Sequence, residues 1–432
     1  MASRPTALHT IAGLDIHDLA AAFATPLYVY DAATIRDRIE HLRAFDTLRY
    51  AQKANPNLSI LALMKQAGVL LDAVSAGEIF RALRAGFDPA ADPPGVVYTA
   101  DIFDAAALEL VEKHGVAVNV GSLDMIGQLG ERCPGRAITV RVNPGFGHGH
   151  SRQVSTGGPL SKHGIWHEQL GQACALAARH ELTITGLHVH IGSGVELAGL
   201  ARVCQAMLLA VATVTGGPHA AAHRLGAISA GGGLPVPYRP ADQPLDVAAY
   251  ADMWLATRAR AEELVGHPLR LEVEPGRYLV AEAGYLVAEV RAVKQTPAHT
   301  FYLLDAGFDN LIRPVLYGAY HHMSVCPRSG APPAGTRPAV VAGPLCEAGD
   351  VFTQDRASVP LARELPPAAV GDLVVVHDVG AYGFAMGSNY NSRRMAAEVL
   401  IDGGQVRLIR RRQSFEDLIR NEVDGDELES AL

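Results

Sequence analysis

The stretch "RYAQKANPN" at residues 49–57 places a lysine, Lys53, inside what is otherwise a short apolar strand, directly before an Asn-Pro turn. A lysine in a strand usually extends its side chain along the surface, so that its charge reaches water. The alternative is chemical. A lysine that is partly desolvated at a strand end loses its proton more easily and becomes a nucleophile that forms an imine with a carbonyl cofactor. The rest of the chain decides between these two interpretations.

Short β-branched runs alternate with longer Ala- and Leu-rich stretches from Arg49 to about Val280, which is the pattern of repeated βα units. Eight runs fit this pattern: "RYAQKA", "LDAVSA", "VVYTAD", "AVNVGS", "AITVRVNP", "ITGLHVHIGS", "GAISAGGG" and "LRLEVEPGR". Eight successive units predict a closed (β/α)₈ TIM barrel. An open doubly wound sheet is the alternative, because alternation alone does not count strands around a ring.

Polar or glycine-rich residues end nearly every one of these runs. They are Lys53, Ser75, Asp101, Ser122, Asn143, His190, Gly231 to Gly233, and Glu274. In (β/α)₈ barrels the carboxyl ends of the strands build the active site. We therefore expect the functional site at this end of the barrel.

The pattern changes after the barrel to β-rich stretches punctuated by Gly and Pro, without intervening helices. This predicts a second, mainly antiparallel β domain. We assign the cofactor-binding barrel to residues 30–280, and the β-rich domain to residues 1–29 and 281–432. A helix is expected to close the chain at "SFEDLIRNEV", where Ser414 and Asp417 resemble a capping pair.

Composition describes an ordinary globular chain of 432 residues, with 49% apolar residues and a formal charge of −8. The negative balance argues against a nucleic-acid partner. We find no apolar run that approaches the ~20 residues needed to cross a bilayer, and no basic-then-apolar signal pattern at the N-terminus, so no membrane partner is expected. These features predict a cytoplasmic protein. The basic run Arg410 to Arg412 is interpreted as a solvated face.

The five cysteines are scattered and lack the spacings of a zinc site or a disulfide framework. Cys133, Cys174, Cys204 and Cys326 are expected to be buried, whereas Cys346 lies in "GPLCEAGDVF" between turn-forming glycines and two acids. The His-x-His spacing of "HVH" puts two histidines on one strand face, but no third ligand with suitable spacing follows. We therefore predict no metal site.

A pyridoxal phosphate cofactor would need a phosphate cradle, a partner for its pyridine nitrogen and a group against its ring. Glycine backbone in "GGGL" can approach a phosphate closely, although such glycines are also common in loops. Glu274 in "EPGR" can hold a proton on the pyridine nitrogen, although a glutamate before proline also caps turns. In "HVHIGSG", His190 can stack on the ring and Ser193 can donate to phosphate oxygens.

Six motifs in this order carry a family resemblance: "YAQKAN", "HVHIGSG", "GGGL", "EPGR", "GPLCEAGD" and "GAYGFAMGSNYNSR". The sequence resembles the pyridoxal-phosphate decarboxylases of the alanine-racemase-like fold, the ornithine/diaminopimelate/arginine decarboxylase family, from about Pro26 to the "LIRRRQSFEDL" tail. Within the family it most resembles the branch that acts on diaminopimelate. The resemblance implies a homodimer with shared active sites, pyridoxal 5'-phosphate as cofactor, and Lys53 as the cofactor lysine.

Family resemblance also implies the other site residues. The cofactor contacts it implies are Lys53, His190, Ser193, Gly232, Gly233, Glu274, Gly276, Arg277 and Tyr382. The substrate contacts it implies are Arg277, Arg313, Tyr317, Glu347 and Tyr382. Cys346 matches the residue that protonates the carbanion after carbon dioxide leaves, from the other subunit of the dimer. A thiol suits that role because thiols are mostly protonated near neutral pH.

Arg313 and Glu347 resemble the pair that binds a distal carboxylate and a distal ammonium, which implies conversion of meso-2,6-diaminopimelate to L-lysine and carbon dioxide, the last step of lysine biosynthesis. An interdomain salt bridge is the structural alternative for Arg313. Ala348, Ala385 and Gly387 stand where family members more often carry serine. A decarboxylase of a carboxylated polyamine or siderophore precursor is therefore an alternative function, as is a non-catalytic cofactor-binding homologue; a racemase is disfavoured by the glutamate at the ring nitrogen. The Gly/Ser-rich segment from His148 to His163 is expected to be a flexible loop over the barrel mouth.

Overall fold

The computed structural model describes residues 5–147, 156–192, 194, 197–330 and 335–423. Its strands are β1 (Thr10–Ile11), β2 (Leu14–Asp15), β3 (Leu27–Asp31), β4 (Thr47–Ala51), β5 (Leu70–Ala73), β6 (Val96–Ala100), β7 (Ala117–Val120), β8 (Ala137–Asn143), β9 (Ile165–Trp166), β10 (Thr183–Val189), β11 (Ala227–Ser229), β12 (Arg270–Val273), β13 (Gly284–Gln295), β14 (Thr300–Leu304), β15 (Met323–Cys326), β16 (Arg337–Ala342), β17 (Arg363–Leu365), β18 (Leu373–Val376), β19 (Ala397–Asp402) and β20 (Gln405–Arg410). Its α-helices are α1 (Ile16–Phe23), α2 (Ala32–Glu40), α3 (Leu58–Gln66), α4 (Ala76–Arg84), α5 (Ala105–His114), α6 (Leu123–Arg132), α7 (Leu170–Arg179), α8 (Leu197–Gly216), α9 (Val247–Val265), α10 (Arg277–Val280), α11 (Arg313–Tyr317) and α12 (Glu416–Ile419).

Eight parallel strands close into a barrel in the order β4, β5, β6, β7, β8, β10, β11 and β12, and β12 pairs back to β4. Each of these strands overlaps one of the eight predicted runs, so the predicted (β/α)₈ barrel is confirmed and the open sheet is excluded. The register places Ala51 beside Asp72, and it places His188 between Arg141 and Ser229. Polar residues of neighbouring strands therefore share one level of the barrel.

Two of the polar residues at strand ends cap helices. The Ser75 hydroxyl accepts a hydrogen bond from the backbone N–H of Glu78 at the start of α4, at 3.2 Å, and Ser122 accepts one from Met125 at the start of α6, at 3.3 Å. An N-cap of this kind stabilises a helix by about 1 kcal/mol. These serines therefore set where the barrel helices begin.

Helix α8 contains one stretch, Gly199–Gly216, that is long and apolar enough to cross a membrane by length and composition. The prediction that no apolar run approaches this length was therefore wrong. The same helix packs against α9 and β10 of the barrel, and 39% of the stretch is buried. Core helices of barrels have this composition too, so the stretch is weak evidence for a membrane span.

A second sheet has the order β17, β16, β14, β13, β3, β19 and β20, with β18 paired to β13 and β15 paired to β18. Most of its pairs are antiparallel, as predicted, whereas β19 runs parallel to β3 and β16 runs parallel to β14. The predicted absence of helices from this region was wrong, because the five-residue helix α11 interrupts it. A helix this short carries too few residues to show a 3.6-residue period.

The chain divides into two compact units. The barrel unit comprises residues 34–237 and 241–281, and the second unit comprises the described residues of 1–33, 238–240 and 282–432. The core of the second unit gathers apolar side chains of β3, β13, β18 and β19 with those of α1. Three of the four cysteines expected to be buried are buried, but Cys133 is partly exposed and that prediction was wrong for it.

The tail of the described chain confirms the capping pair. The backbone N–H of Ser414 donates to the Asp417 carboxylate at 2.9 Å, and the N–H of Asp417 donates to the Ser414 hydroxyl at 3.1 Å. The basic run before it is not a simple solvated face. Arg412 donates to the carbonyl of Pro26 at 2.8 Å, and Arg410 pairs with the buried Glu398. These arginines therefore fix the tail to the second unit.

Candidate active site

Lys53 lies just after a barrel strand. Strand β4 ends at Ala51, and Lys53 is the middle residue of a single 3₁₀ turn, Gln52–Ala54, with an exposed side chain. The prediction that Lys53 lies inside the strand was therefore wrong. The Tyr50 hydroxyl donates to the carbonyl of Asn55 at 3.0 Å and ties the turn to the strand. The amine thus projects from a fixed turn at the carboxyl end of the barrel, where a ligand can reach it.

Glu274 directly follows β12 and is buried. One of its carboxylate oxygens lies 2.8 Å from His188 Nε2, and the other accepts a hydrogen bond from the Ser229 hydroxyl at 3.1 Å. Burial raises the pKa of Glu274, but the opposing effects of the charge and hydrogen bond of His188 and of the charge of Arg49 are together larger. The pKa is therefore lowered to about 2. Glu274 is therefore an ionised carboxylate with both oxygens held in place.

A second carboxylate, Asp72 on β5, is buried in the same barrel. Burial, followed by the negative charge of Glu274, raises the pKa of Asp72 to about 8, although Lys53 and a hydrogen bond with Thr99 oppose the shift. Two neighbouring carboxyl groups whose pKa values differ in this way take different protonation states. At neutral pH Glu274 is therefore charged, whereas Asp72 is mostly protonated.

His190 is held neutral by its contacts. The backbone N–H of Gly232 donates to His190 Nδ1 at 3.2 Å, so this nitrogen accepts and carries no proton. Burial lowers the pKa of His190 well below its usual range, and the positive charges of Arg141 and Lys53 lower it further. A neutral imidazole therefore stands beside the glycine segment.

The segment 231–233 must be glycine because its backbone packs closely and adopts unusual φ values. A side chain at Gly232 would place its Cβ 2.4 Å from the carbonyl oxygen of Glu274, and one at Gly231 would place it 2.5 Å from that of Val189. Gly231 and Gly233 also have φ values of +62° and +95°, which favour glycine. Backbone without side chains thus lies against the strand ends that carry His190 and Glu274.

The next strand end is equally tight. A Cβ at Gly276 would lie 3.1 Å from the carbonyl oxygen of Ala51, and Gly276 directly precedes the partly buried Arg277 at the start of α10. The turn therefore brings the start of this helix against the end of β4. Ser193, expected at the phosphate, lies outside the described residues.

A set of buried polar groups inside the barrel was not predicted from the sequence. The atoms Asp72 Oδ1, Asn119 Oδ1, Arg141 Nη2 and His188 Nδ1 have no hydrogen-bond partner within the described part of the chain. Buried polar atoms of this kind are costly unless a ligand or water satisfies them. The available signal was the same as at Lys53, namely a charged or amide residue within the apolar runs "LDAV", "AVNV" and "VRVN".

His163 is the described end of the expected loop, and its ring contacts the carboxylate of Asp101. Its Nδ1 lies 2.5 Å from Asp101 Oδ2, and the N–H of Gly164 donates to the other oxygen at 2.8 Å. Burial raises the pKa of Asp101, but these two hydrogen bonds outweigh it and the pKa is lowered. The predicted loop residues His148 and His150 lie outside the described residues.

The predicted substrate residue Arg313 belongs to the second unit. It is buried at the first position of α11, with Nη1 2.8 Å from His321 Nε2 and its guanidinium carbon 4.8 Å from the centre of the Tyr238 ring. Tyr317 ends the same helix and is partly exposed. The helix therefore presents one anchored cation and one accessible phenol.

Cys346 and Glu347 are exposed in a turn of the second unit. The carboxylate of Asp350 accepts backbone hydrogen bonds from Leu345 and Phe308, both at 2.8 Å, and so shapes the turn. The backbone N–H of Cys346 donates to Asn391 Oδ1 at 2.8 Å. The thiol is thus carried at the surface on a well-fixed backbone.

Tyr382 adopts the left-handed conformation, with φ of 58°. Such a conformation costs a residue other than glycine about 1 kcal/mol or more, and it is enriched at functional sites. A Cβ at the following Gly383 would lie 2.4 Å from the carbonyl oxygen of Val379, so this turn is tight. Among the described residues, no group of three metal-ligating side chains comes together, and His188 Nε2 is committed to Glu274.

The barrel carries an accessible lysine, a buried ionised glutamate and a neutral histidine at one end. This fold and these groups are those of a pyridoxal-phosphate-dependent enzyme. Residues 33–281 match the family described as pyridoxal-dependent decarboxylase, pyridoxal binding domain. Among its relatives, diaminopimelate decarboxylase of Streptomyces coelicolor is 50% identical over 424 residues, which are 98% of this chain and 95% of the relative. The chain therefore belongs to the diaminopimelate decarboxylases within the pyridoxal-dependent decarboxylase family, which confirms the resemblance.

Solved structures agree with this assignment. A crystal structure of diaminopimelate decarboxylase is 48% identical, with a TM-score of 0.91, and the match covers 97% of this chain and 99% of that chain. Diaminopimelate decarboxylase from Helicobacter pylori, complexed with L-lysine, is 30% identical, with a TM-score of 0.84, and covers 97% of this chain and 100% of that chain. The likeness thus extends over both units.

Proposed function

We propose that this protein uses pyridoxal phosphate to release carbon dioxide from meso-2,6-diaminopimelate and so forms L-lysine, the last step of lysine biosynthesis. The observation that carries the proposal is the buried guanidinium of Arg313, which is held in place and suited to a second carboxylate. Relatives that are 50% identical bear the name of this activity, and the Helicobacter pylori relative is known with L-lysine bound. None of these relatives is named for activity on a polyamine or siderophore precursor, so they do not support the alternative substrate.

The barrel residues fit pyridoxal phosphate. Lys53 would bond to its aldehyde, Glu274 would face its pyridine nitrogen, and His190 would lie against its ring. Its phosphate would be bound by glycine backbone at 231–233, where Gly231 and Gly232 leave no room for a side chain, and by the turn at Gly276 and Arg277. When bound, the cofactor supplies the electron sink that accepts the electron pair left as carbon dioxide departs.

Glu274 determines the strength of this electron sink. With its pKa lowered to about 2, the carboxylate is ionised, and it would hold a proton on the ring nitrogen of a bound cofactor. His188 and Ser229 each contact one of its two oxygens, so the orientation of the carboxylate is fixed. The neutral His190 would pack against the cofactor ring without adding a positive charge that competes with the protonated ring nitrogen for Glu274.

Cys346 would donate a proton from its Sγ to the substrate carbon after carbon dioxide leaves. The thiol and the neighbouring Glu347 are exposed on the second unit, which suits residues that complete the site of another subunit. We propose a cytoplasmic homodimer in which Lys53 of one chain and Cys346 of its partner share a site.

Substrate selection would depend on the far end of the amino acid. Arg313 would bind the distal carboxylate and Glu347 the distal ammonium, with Tyr317, Arg277 and Tyr382 as further contacts. A substrate that lacks the carboxylate forgoes the charge-assisted hydrogen bonds to this guanidinium, each worth about 1.5–3 kcal/mol. Selection for a substrate with both groups follows.

The test is incubation of the protein and pyridoxal phosphate with a panel of meso-diaminopimelate, lysine, ornithine and arginine, with carbon dioxide and product mass as readouts. Only diaminopimelate should give rapid release, with L-lysine as product. Arg313→Ala should lower kcat/KM for diaminopimelate by about 100-fold, while the cofactor absorbance is retained. Replacement of the exposed Arg328 by alanine is the matched control and should change neither. Efficient release of cadaverine from lysine would contradict the proposal.

A further inference from the structure

The guanidinium of Arg313 is held by a second histidine, His321, which is fully buried. Arg313 Nη1 lies 2.8 Å from His321 Nε2, and His321 Nδ1 lies 2.8 Å from the backbone carbonyl of His377. A carbonyl only accepts, so Nδ1 carries the ring proton, and an arginine only donates, so Nε2 must accept. The contacts therefore specify one neutral tautomer of His321, with its lone pair aimed at Arg313.

His321 is itself fixed through its main chain. Its carbonyl oxygen accepts a hydrogen bond from Arg363 Nη1 at 2.5 Å. The guanidinium of Arg363 also lies over the ring of Tyr320, with 4.1 Å between its carbon and the ring centre. With both the backbone and the far ring nitrogen anchored, the lone pair of Nε2 has a defined position.

Tyr238 contributes a second contact to the same guanidinium. Its ring centre lies 4.8 Å from the guanidinium carbon of Arg313 and 5.3 Å from the centre of the His321 ring, which it meets at 74°. An aromatic face fixes the plane of a guanidinium by cation–π attraction, while a hydrogen bond at one nitrogen fixes its rotation within that plane. Tyr238 belongs to the segment 238–240, which the chain contributes to the second unit from within the barrel sequence.

We propose that His321 and Tyr238 are positioning residues for substrate selection: together they hold the Arg313 guanidinium in the orientation that binds the distal carboxylate. The proposal rests on the function proposed above. A planar fork that is oriented in advance forms two parallel hydrogen bonds with a carboxylate at a lower entropy cost than a side chain that rotates freely before binding. Specificity would then depend on two residues that act through Arg313.

The test compares paired variants of the cofactor-loaded enzyme. His321→Gln keeps an acceptor for Arg313, whereas His321→Leu removes it; Tyr238→Phe keeps the ring face, whereas Tyr238→Leu removes it. Because the distal carboxylate is bound equally in the ground state and the transition state, each leucine variant should raise KM for meso-diaminopimelate about tenfold or more, with kcat within threefold of wild type. The Gln and Phe variants should stay within threefold of wild-type KM. Cofactor absorbance and the thermal midpoint report whether each variant is folded and loaded.

Three outcomes would overturn the proposal. The first is an unchanged KM in a folded, loaded leucine variant, and the second is a loss of kcat with KM unchanged. The third is a Gln or Phe variant as impaired as its leucine counterpart. If His321→Leu does not fold, the Tyr238 pair and His321→Gln decide the question. Wild-type turnover of diaminopimelate is measured first: its absence refutes the proposed function and the inference with it, whereas an active wild type with unaffected leucine variants refutes the inference alone.

Discussion

Replacement of Asp72 by asparagine tests the protonation of the barrel interior. Burial and the charge of Glu274 raise the pKa of Asp72 from 3.8 to about 8, so the folded chain keeps a proton that the unfolded chain has lost. For a carboxyl with a raised pKa, folded-state stability falls as pH rises from about 4 to about 8, and it levels off above that. Asparagine resembles the protonated acid in shape and does not titrate, so Asp72→Asn should remove this dependence.

The magnitude follows from the width of the window. Between pH 5.5 and the folded pKa there are roughly 2.5 pH units, each worth ~1.4 kcal/mol, so the advantage of Asp72→Asn over wild type should grow by ~3 kcal/mol between pH 5.5 and 8.5. In a unit the size of the barrel, 1 kcal/mol corresponds to about 2–4 °C in Tm. The Tm difference between variant and wild type should therefore increase by on the order of 6 °C or more.

Scanning calorimetry of the cofactor-free chain at the two pH values measures this difference. Asp124→Asn is the matched control, because Asp124 is exposed on the barrel helix α6 and its replacement should shift Tm equally at both values. An Asp72→Asn advantage that is the same at pH 5.5 and 8.5, or that shrinks with rising pH, would refute the assignment. Asp72 would then be ionised alongside Glu274.

Three further predictions concern the cofactor and the assembly. Lys53→Ala should abolish covalent attachment of pyridoxal phosphate, which borohydride reduction and peptide mass spectrometry would show; a label on any other lysine would contradict the assignment. Gly232→Ala should weaken cofactor binding at least tenfold by fluorescence titration, because its Cβ would lie 2.4 Å from the Glu274 carbonyl, whereas Gly226→Ala, whose nearest contact is 3.9 Å, should not. Co-refolding inactive Lys53→Ala and Cys346→Ala chains should restore about a quarter of wild-type activity, since random pairing gives half heterodimers with one intact site each; no recovery in confirmed heterodimers would place both residues in one chain.

The barrel was predictable because each strand is a short apolar run and each run ends at a turn signal. The end of β4 was predicted one turn too late, because Gln52, Lys53 and Ala54 continue the strand in composition but turn in structure. Helix α11, which carries Arg313, was not predicted because five residues are too few to show the 3.6-residue hydrophobic period of a helix. The role of each polar residue depended on distant partners, as His188 shows: the His-x-His spacing suggests a metal ligand, whereas its real partner, Glu274, lies 86 residues later.

The same limit applies to the residues that fix Arg313. Tyr238 lies in a barrel loop by sequence, and His321 lies in a His-His pair without a recognisable motif. Their contact with one guanidinium depends on the three-dimensional arrangement of segments 75 residues apart, from 238 to 313. Local sequence therefore singled out Arg313 as a proposed substrate contact, but it gave no signal for the two residues that contact its guanidinium.

Strand β3 has a consequence for how the protein is made. It pairs with β13 and β19, and the buried hydroxyl of Tyr30 donates to Glu398, 368 residues later, at 2.7 Å. At a synthesis rate of about 5–20 residues per second, the apolar segment "LYVYD" emerges from the ribosome roughly 20–70 seconds before the last of its partners exists. The barrel sequence is complete well before then. Until β13 is made, the nascent chain therefore carries β3 with neither partner, and until β19 is made one edge of β3 stays unpaired; we expect this edge to need protection from aggregation during synthesis.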